Sequence, residues 1–319
     1  MTPEFDLIAR YFTRPPSRAV LGIGDDCALI KVADGCVLAI STDTLVSGTH
    51  FFADADAGML GHKALAVNLS DLAAMGATPR YVTLALTLPA VDHAWLSAFS
   101  RGFFQLADQH QVELIGGDTT RGPLSMTLTA FGEVEGGRAL RRDGAKAGDD
   151  VWVSGSLGGA ALALMHLQSR LTLKPGVLDR AAARLHQPQP RIALGEALLG
   201  LASAVIDVSD GLLADLGHIA ERSGLAATVE WPLLPLAPVL LSVGPAERMA
   251  CSLSGGDDYE LCFTAPPTAR AAIDAVSARL ELPLTRIGTM GAAGAGVTLL
   301  DEHGREIHFD RPGFDHFGA

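Results

Sequence analysis

The chain has 319 residues, 48% hydrophobic and 19% charged, a composition that suits a folded globular protein and excludes a disordered one. Its 24 basic residues stand against 36 acidic ones, a net charge of −12, which excludes a broad basic face for nucleic acid or an anionic membrane. Only Lys31, Lys63, Lys146 and Lys174 supply ammonium groups, so phosphate chemistry here would rest on arginine, backbone amides and metal ions. The most apolar stretches, 160–165 and 197–206, are too short to span a bilayer. The first six residues have no basic segment leading into an apolar core, so no signal peptide is expected. Cys27, Cys36, Cys251 and Cys262 show neither C-x-x-C spacing nor a nearby histidine cluster, which reads as reduced, mostly buried thiols in a cytoplasmic protein.

In chain order, Thr2 and Pro3 suit an N-cap and first helical position, opening a helix through residue 12 that the Arg14-Pro-Pro-Ser17 breaker ends. Strands are predicted at 28–32 and 37–42, a helix at 56–76 and an alternating strand at 80–88. A second long helix covers 92–110. A strand at 112–115 runs into a turn, Gly116-Gly-Asp-Thr-Thr120, and 125–135 alternates as a strand. Residues 135–150 are glycine-rich and charged, the composition of a domain connection. It divides the chain into domains at 1–137 and 149–319. The second domain begins with a strand at 151–154 and helices near 160–168, 178–186 and 191–200. A strand at 204–208 then leads into a helix at 212–223, and 232–245 reads as irregular. A strand at 259–264, a helix at 268–280 and strands at 284–289 and 296–300 complete it. This mixed order favours α+β over a regular βαβ repeat.

The chemistry gathers where acids follow glycine turns and strand ends. Asp25 and Asp26 follow Gly22-Ile-Gly24, and adjacent carboxylates repel unless a cation or proton lies between them. Ser41, Thr42 and Asp43 end an apolar run. Helical spacing places Asp71 on one stripe with Ala64, Val67, Asn68, Ala74 and Met75, so its carboxylate either has a cation or donors facing it or turns to solvent beside Ser70. The segment around Gly117 and Asp118 reads as an anion-binding turn with a metal-binding acid, or as a plain hairpin turn. Asp207, Ser209 and Asp210 end a strand before a helix, where Ser209 or Asp210 could simply be the N-cap. Segment 254–260 repeats the Gly-Asp-Asp arrangement at Asp257 and Asp258. His50 lies close in sequence to Ser41–Asp43 and is a candidate ligand contact. Oxygen-only side chains suit Mg²⁺ better than zinc or copper. No Walker A loop, protein-kinase motif set, H-E-x-x-H or Gly-x-Ser-x-Gly elbow is present.

Six segments together resemble the thiamine-monophosphate kinase family. They are Gly22-Ile-Gly-Asp-Asp26, Ser41-Thr-Asp-Thr-Leu45 with Gly48-Thr-His-Phe51, Asn68-Leu-Ser-Asp-Leu-Ala-Ala-Met-Gly76, Gly116-Gly-Asp-Thr-Thr-Arg-Gly122, Asp207-Val-Ser-Asp-Gly-Leu212 and Ser254-Gly-Gly-Asp-Asp-Tyr-Glu-Leu261. The resemblance implies a two-domain α+β fold of the aminoimidazole ribonucleotide synthetase type. Its N-terminal domain pairs its sheet across a homodimer, and its C-terminal α/β-sandwich domain closes over the nucleotide. It implies ATP-dependent phosphorylation of thiamine monophosphate, with catalytic roles for Asp71, Asp118 and Asp210. Several Mg²⁺ ions would be held by Asp26, Ser41, Thr42, Asp43, Asp71 and Asp118, with Asp207 and Asp210 contributing from the second domain. Gly117, Asp118, Arg142 and Ser209 would contact ATP. His50, Asp257 and Phe314 would contact thiamine phosphate, with Asp257 standing where relatives commonly carry Glu and Phe314 near where they often carry Trp. The competing readings are another ATP-dependent synthetase of the same group and a non-catalytic divalent-metal-binding protein.

Overall fold

The computed structural model of the chain describes residues 3–309 and residue 313; Phe314 lies outside them. The chain divides into two compact units, Met1–Leu72 with Ala77–Gly137, and Ala73–Gly76 with Arg138–Ala319.

The first unit contains α1 (Pro3–Tyr11), β1 (Cys36–Val46), α2 (Ala57–Ala74), β2 (Thr78–Leu88), α3 (His93–His110), β3 (Glu113–Arg121) and β4 (Ser125–Glu135). Its sheet runs β1-β4-β2-β3, antiparallel except for the parallel β2–β3 pair. Asp92 caps α3 by accepting the Ala94 and Trp95 N–H groups at 2.8 and 3.1 Å, which settles where that helix starts. Leu65, Leu69 and Leu72 of α2 and Phe99, Phe103 and Leu106 of α3 are buried with Leu86, Met126 and Leu128 of the sheet. The two helices approach so closely that a Cβ on Gly61 would lie 2.1 Å from the Phe99 carbonyl oxygen. One on Gly102 would lie 1.9 Å from that of Gly58. Alternation then divides the sheet into two faces. Ser41 and Asp43 share the face of Leu84 and Leu128, while Thr42 and Thr44 share the other with Thr129 and Thr127.

The second unit contains β5 (Asp150–Ser154), α4 (Gly159–Leu167), α5 (Pro175–His186), α6 (Ile192–Leu198), β6 (Ala204–Asp207), α7 (Leu212–Ser223), β7 (Leu225–Glu230), α8 (Pro245–Leu253), β8 (Leu261–Ala265), α9 (Arg270–Leu280), β9 (Leu284–Ala293) and β10 (Val297–Leu300). Its six-stranded sheet runs β10-β7-β9-β5-β8-β6, with only β10–β7 parallel. One apolar cluster joins Val151, Val153, Ile206, Cys262 and Ile287 of the sheet to Leu212, Leu216 and Ile219 of α7. A second joins α4 and α5 through Leu162, Ala163, Ala181, Leu185 and Leu240. Both units mix sheet and helix, the α+β class expected.

Several expectations are corrected. Residues 28–32 form no strand; Leu29 makes only an isolated bridge with Leu21. Gly116–Thr120 is no turn, because β3 continues through it in parallel register with β2. β7 and α8 were not expected, and two 3₁₀ turns, Trp231–Leu233 and Pro238–Ser242, lie between them. Cys251 and Cys262 are buried, whereas Cys27 is exposed and Cys36 partly so. Among the described residues no helix is long and apolar enough to cross a membrane. Gly102→Ala should destabilise the first unit by about 1–3 kcal/mol, the usual cost of overpacking; a urea midpoint equal to that of the unmodified protein would refute this close approach.

Candidate active site

In the first unit the side chains of Ser41, Asp43 and Asp71 come together. Ser41 and Asp43 sit two residues apart on β1 and so project from one face; α2 brings Asp71 to them. The Ser41 hydroxyl donates to Asp71 Oδ2. Burial, and then the charge of Asp71, push the Asp43 carboxyl from 3.8 up to about 6. The Thr42 hydroxyl lies on the opposite face, 2.9 Å from that of Thr129. Asp118 is exposed on β3 opposite Ala85. Register runs from Asp43 through Leu128 and Leu84 to Gly117, so Asp43 and Gly117 stand three strand spacings apart, about 14 Å along the sheet. His50 is turned to its own backbone: its Nδ1 accepts the Val46 N–H at 3.0 Å. In the 22–26 turn, whose Gly24, Asp25 and Asp26 are exposed, Asp25 Oδ1 accepts the Asp26 N–H at 2.8 Å.

In the second unit, β6 ends at the buried Asp207 and the chain turns at Ser209 and Asp210. Neither residue caps α7: its N-cap is Gly211, with no side-chain capping bond. Instead Asp215, one turn inside the helix, reaches back. Its Oδ2 accepts the N–H groups of Ser209, Asp210 and Gly211 at 3.0, 3.1 and 3.1 Å. Burial, then Asp210, nevertheless push this carboxyl up to about 7. Three converging N–H groups at a helix N-terminus make an anion nest, and here the protein's own carboxylate fills it. Arg142 is exposed, and its carbonyl accepts from Ser223 at the far end of α7, a 12-residue helix about 18 Å long. Arg142 and Ser209 therefore flank opposite ends of one helix.

The 254–260 segment docks on this turn. Asp257 N–H donates to the Ser209 carbonyl at 2.9 Å and Tyr259 N–H to that of Val208 at 2.8 Å. Asp258 is buried, with Oδ2 accepting the Gly158 N–H at 2.8 Å and Oδ1 without a partner. Burial pushes its carboxyl up to about 8. Glu260 is fully buried and accepts from Ser154 Oγ at 2.6 Å, Arg191 Nε at 2.7 Å and Arg184 Nη2. Asp215 and both arginines escaped the sequence reading, which placed Asp258 and Glu260 in a motif without giving either a role. For Asp215 the signal was present: it falls on the α7 stripe of Leu212, Leu216 and Ile219, the same argument that singles out Asp71.

The pair Asp43 and Asp71 with Ser41 offers two carboxylates and a hydroxyl, all oxygen, and a cation beside them would offset both the burial and, second to it, the Asp71 charge that raise the Asp43 carboxyl. That donor set fits Mg²⁺, which commonly takes one or two carboxylates and fills its remaining positions with water and phosphate oxygens. Among the described residues no group of three or more His, Cys, Asp or Glu side chains is placed to hold a metal.

Residues 24–134 match the family model for the AIR synthase related protein, N-terminal domain, and residues 146–300 that for its C-terminal domain. The two units thus define an AIR synthase related protein. The chain is 50% identical to the thiamine-monophosphate kinase of Salmonella typhimurium over 99% of its length and 98% of that protein. The crystal structure of thiamine-monophosphate kinase from Stenotrophomonas maltophilia K279a matches with TM-score 0.85 at 50% identity, over 92% of this chain and 94% of that one. A structure of AaThiL complexed with AMPPCP and TMP matches with TM-score 0.79 at 30% identity, over 92% of each chain. The chain belongs to the thiamine-monophosphate kinase family.

Asp258 generates a pH prediction. Unfolded, its carboxyl ionises near 3.8; folded, near 8. Its contribution to stability is complete below about pH 4 and is lost as pH rises toward 8. Asp258→Asn keeps an acceptor for the Gly158 N–H but cannot ionise. Its melting temperature should gain on that of the unmodified protein between about pH 5 and pH 8; a constant difference across that range would contradict the assignment.

Proposed function

We propose that this chain phosphorylates thiamine monophosphate with ATP, giving thiamine diphosphate and ADP, the last step of thiamine diphosphate synthesis. The observation that carries the reading is the 50% identity to a thiamine-monophosphate kinase over 99% of the chain. The related AaThiL complexed with AMPPCP, an ATP analogue, and TMP supports it.

The nucleophile in this reaction is an anionic phosphate oxygen, so no strong general base is needed. The obstacle is to bring two polyanions into line. Bound Mg²⁺ supplies charge neutralisation and alignment of the phosphates. Asp43, Asp71 and Ser41 hold such an ion from the first unit, with Asp26, Thr42 and Asp118 serving further ions. Asp207 and Asp210 supply carboxylates from the second. Because Asp215 occupies the N–H nest before α7, Ser209 and Asp210 work through their side chains rather than that nest. Ser209, Gly117 and Asp118 contact the nucleotide near its phosphates, and Arg142 gives it a guanidinium from the other end of α7. His50, Asp257 and Phe314 bind thiamine monophosphate. In this reading the enzyme is a cytoplasmic homodimer.

A coupled assay of ADP release over a panel of phosphorylated acceptors tests the assignment: release should rise only with thiamine monophosphate, and stimulation by a different acceptor alone would replace it. Asp71→Asn should lower turnover by on the order of 10²–10³-fold, the scale of losing one charge-stabilising group at a reacting centre, with an unchanged melting curve. Normal turnover by the folded variant would remove Asp71 from the mechanism.

A further inference from the structure

Along residues 257–260 burial alternates: Asp257 and Tyr259 are partly exposed, Asp258 and Glu260 buried. The two partly exposed residues both have left-handed backbone, φ 67° at Asp257 and 49° at Tyr259. Such a conformation costs a non-glycine residue about 1–3 kcal/mol and persists only where its surroundings enforce it. Here the enforcement is visible. Asp258 is tied to the Gly158 N–H, and Glu260 to Ser154, Arg184 and Arg191. The backbone N–H groups of Asp257 and Tyr259 are bonded to Ser209 and Val208. Buried anchors and strained residues alternate, and the result sets two side chains together: the Tyr259 hydroxyl donates to Asp257 Oδ1 at 3.3 Å.

We propose that Tyr259 is a positioning residue for the phosphate acceptor. Its hydroxyl holds one oxygen of Asp257, so that the carboxylate keeps a set orientation toward a cationic or N–H-bearing heteroaromatic ring. The inference rests on the proposed substrate role of Asp257. An aspartate rotates freely about its last torsion unless something holds it. Ordering that carboxylate before the ligand arrives removes part of the entropy otherwise lost on binding. A neutral hydroxyl at 3.3 Å is a long bond, so its effect is orientational and modest.

Steady-state kinetics of the full chain with ATP and thiamine monophosphate test this. Tyr259→Phe should raise the KM for thiamine monophosphate about three- to tenfold, the worth of one neutral hydrogen bond, while kcat and the KM for ATP stay within about twofold. Asp257→Asn should raise the same KM at least as much, and on an Asp257→Ala background, which leaves the hydroxyl no side-chain acceptor at 257, Tyr259→Phe should have no further effect, because the hydroxyl acts through Asp257. An unchanged KM in Tyr259→Phe, with a raised one in Asp257→Asn, overturns the role of Tyr259 and leaves that of Asp257 standing. Fully additive effects also overturn it, since Tyr259 would then act independently. An unchanged KM in Asp257→Asn removes the substrate role of Asp257 and this inference together.

Discussion

The second unit depends on one buried charge. Glu260 is 0% exposed, and a lone carboxylate could not remain ionised there. Two guanidiniums and a hydroxyl close around it, and each comes from a different element. Ser154 ends β5, Arg184 lies in the last turn of α5 and Arg191 is the N-cap residue of α6. Four pieces of chain, counting the approach to β8, are thereby fixed at one point. Removing one partner of such a buried pair generally costs about 3–5 kcal/mol, so the geometry of the 254–260 segment is set by electrostatics as much as by apolar packing. Asp150, at the start of β5, repeats the arrangement with Arg270 at 2.6 and 2.7 Å.

Carboxylates serve this protein in two distinct ways. Asp215, Asp258 and Glu260 face donors inside the fold, and their neighbours are N–H groups, a hydroxyl and guanidiniums. Asp43 and Asp71 face each other, and the Ser41 hydroxyl donates to Asp71. The first kind holds loops in place through the hydrogen bonds it accepts. The second brings two carboxylates together at a spot where β1 and α2 meet, which is what an acidic, lysine-poor chain needs if cations are to mediate its contact with phosphates.

Much of this was legible in sequence, where a local rule and the tertiary outcome agree. β4 and α7 fall where periodicity and breakers place them, and Asp71 stood out as an acid on an apolar helical stripe. Other features escaped for identifiable reasons. Gly116–Thr120 carries turn residues, yet β2 beside it supplies a parallel partner, and pairing overrides local preference. Segment 28–32 has the apolar content of a strand, but among the described residues only Leu29 finds a partner. α8 opens with Pro245 after a proline-punctuated stretch, and a proline at the first helical turn reads locally as a breaker. Glu260 was read as part of a motif rather than an anchor, because its arginines lie 69 and 76 residues away and no local pattern points to them.

The register of the first sheet also constrains how its acids can share ions. Ligands of one Mg²⁺ lie about 2.1 Å from it, so two carboxylate oxygens on the same ion stand no more than about 4.2 Å apart. Gly117 is three strand spacings from Asp43 along one register line, and Asp118 is the next residue. Two aspartate side chains extended toward each other cannot close roughly 14 Å through a packed sheet. The register therefore favours separate ions for Asp43 and Asp118. If both bind metal, they bind separate ions, one beside Asp71 and one at the exposed edge of β3.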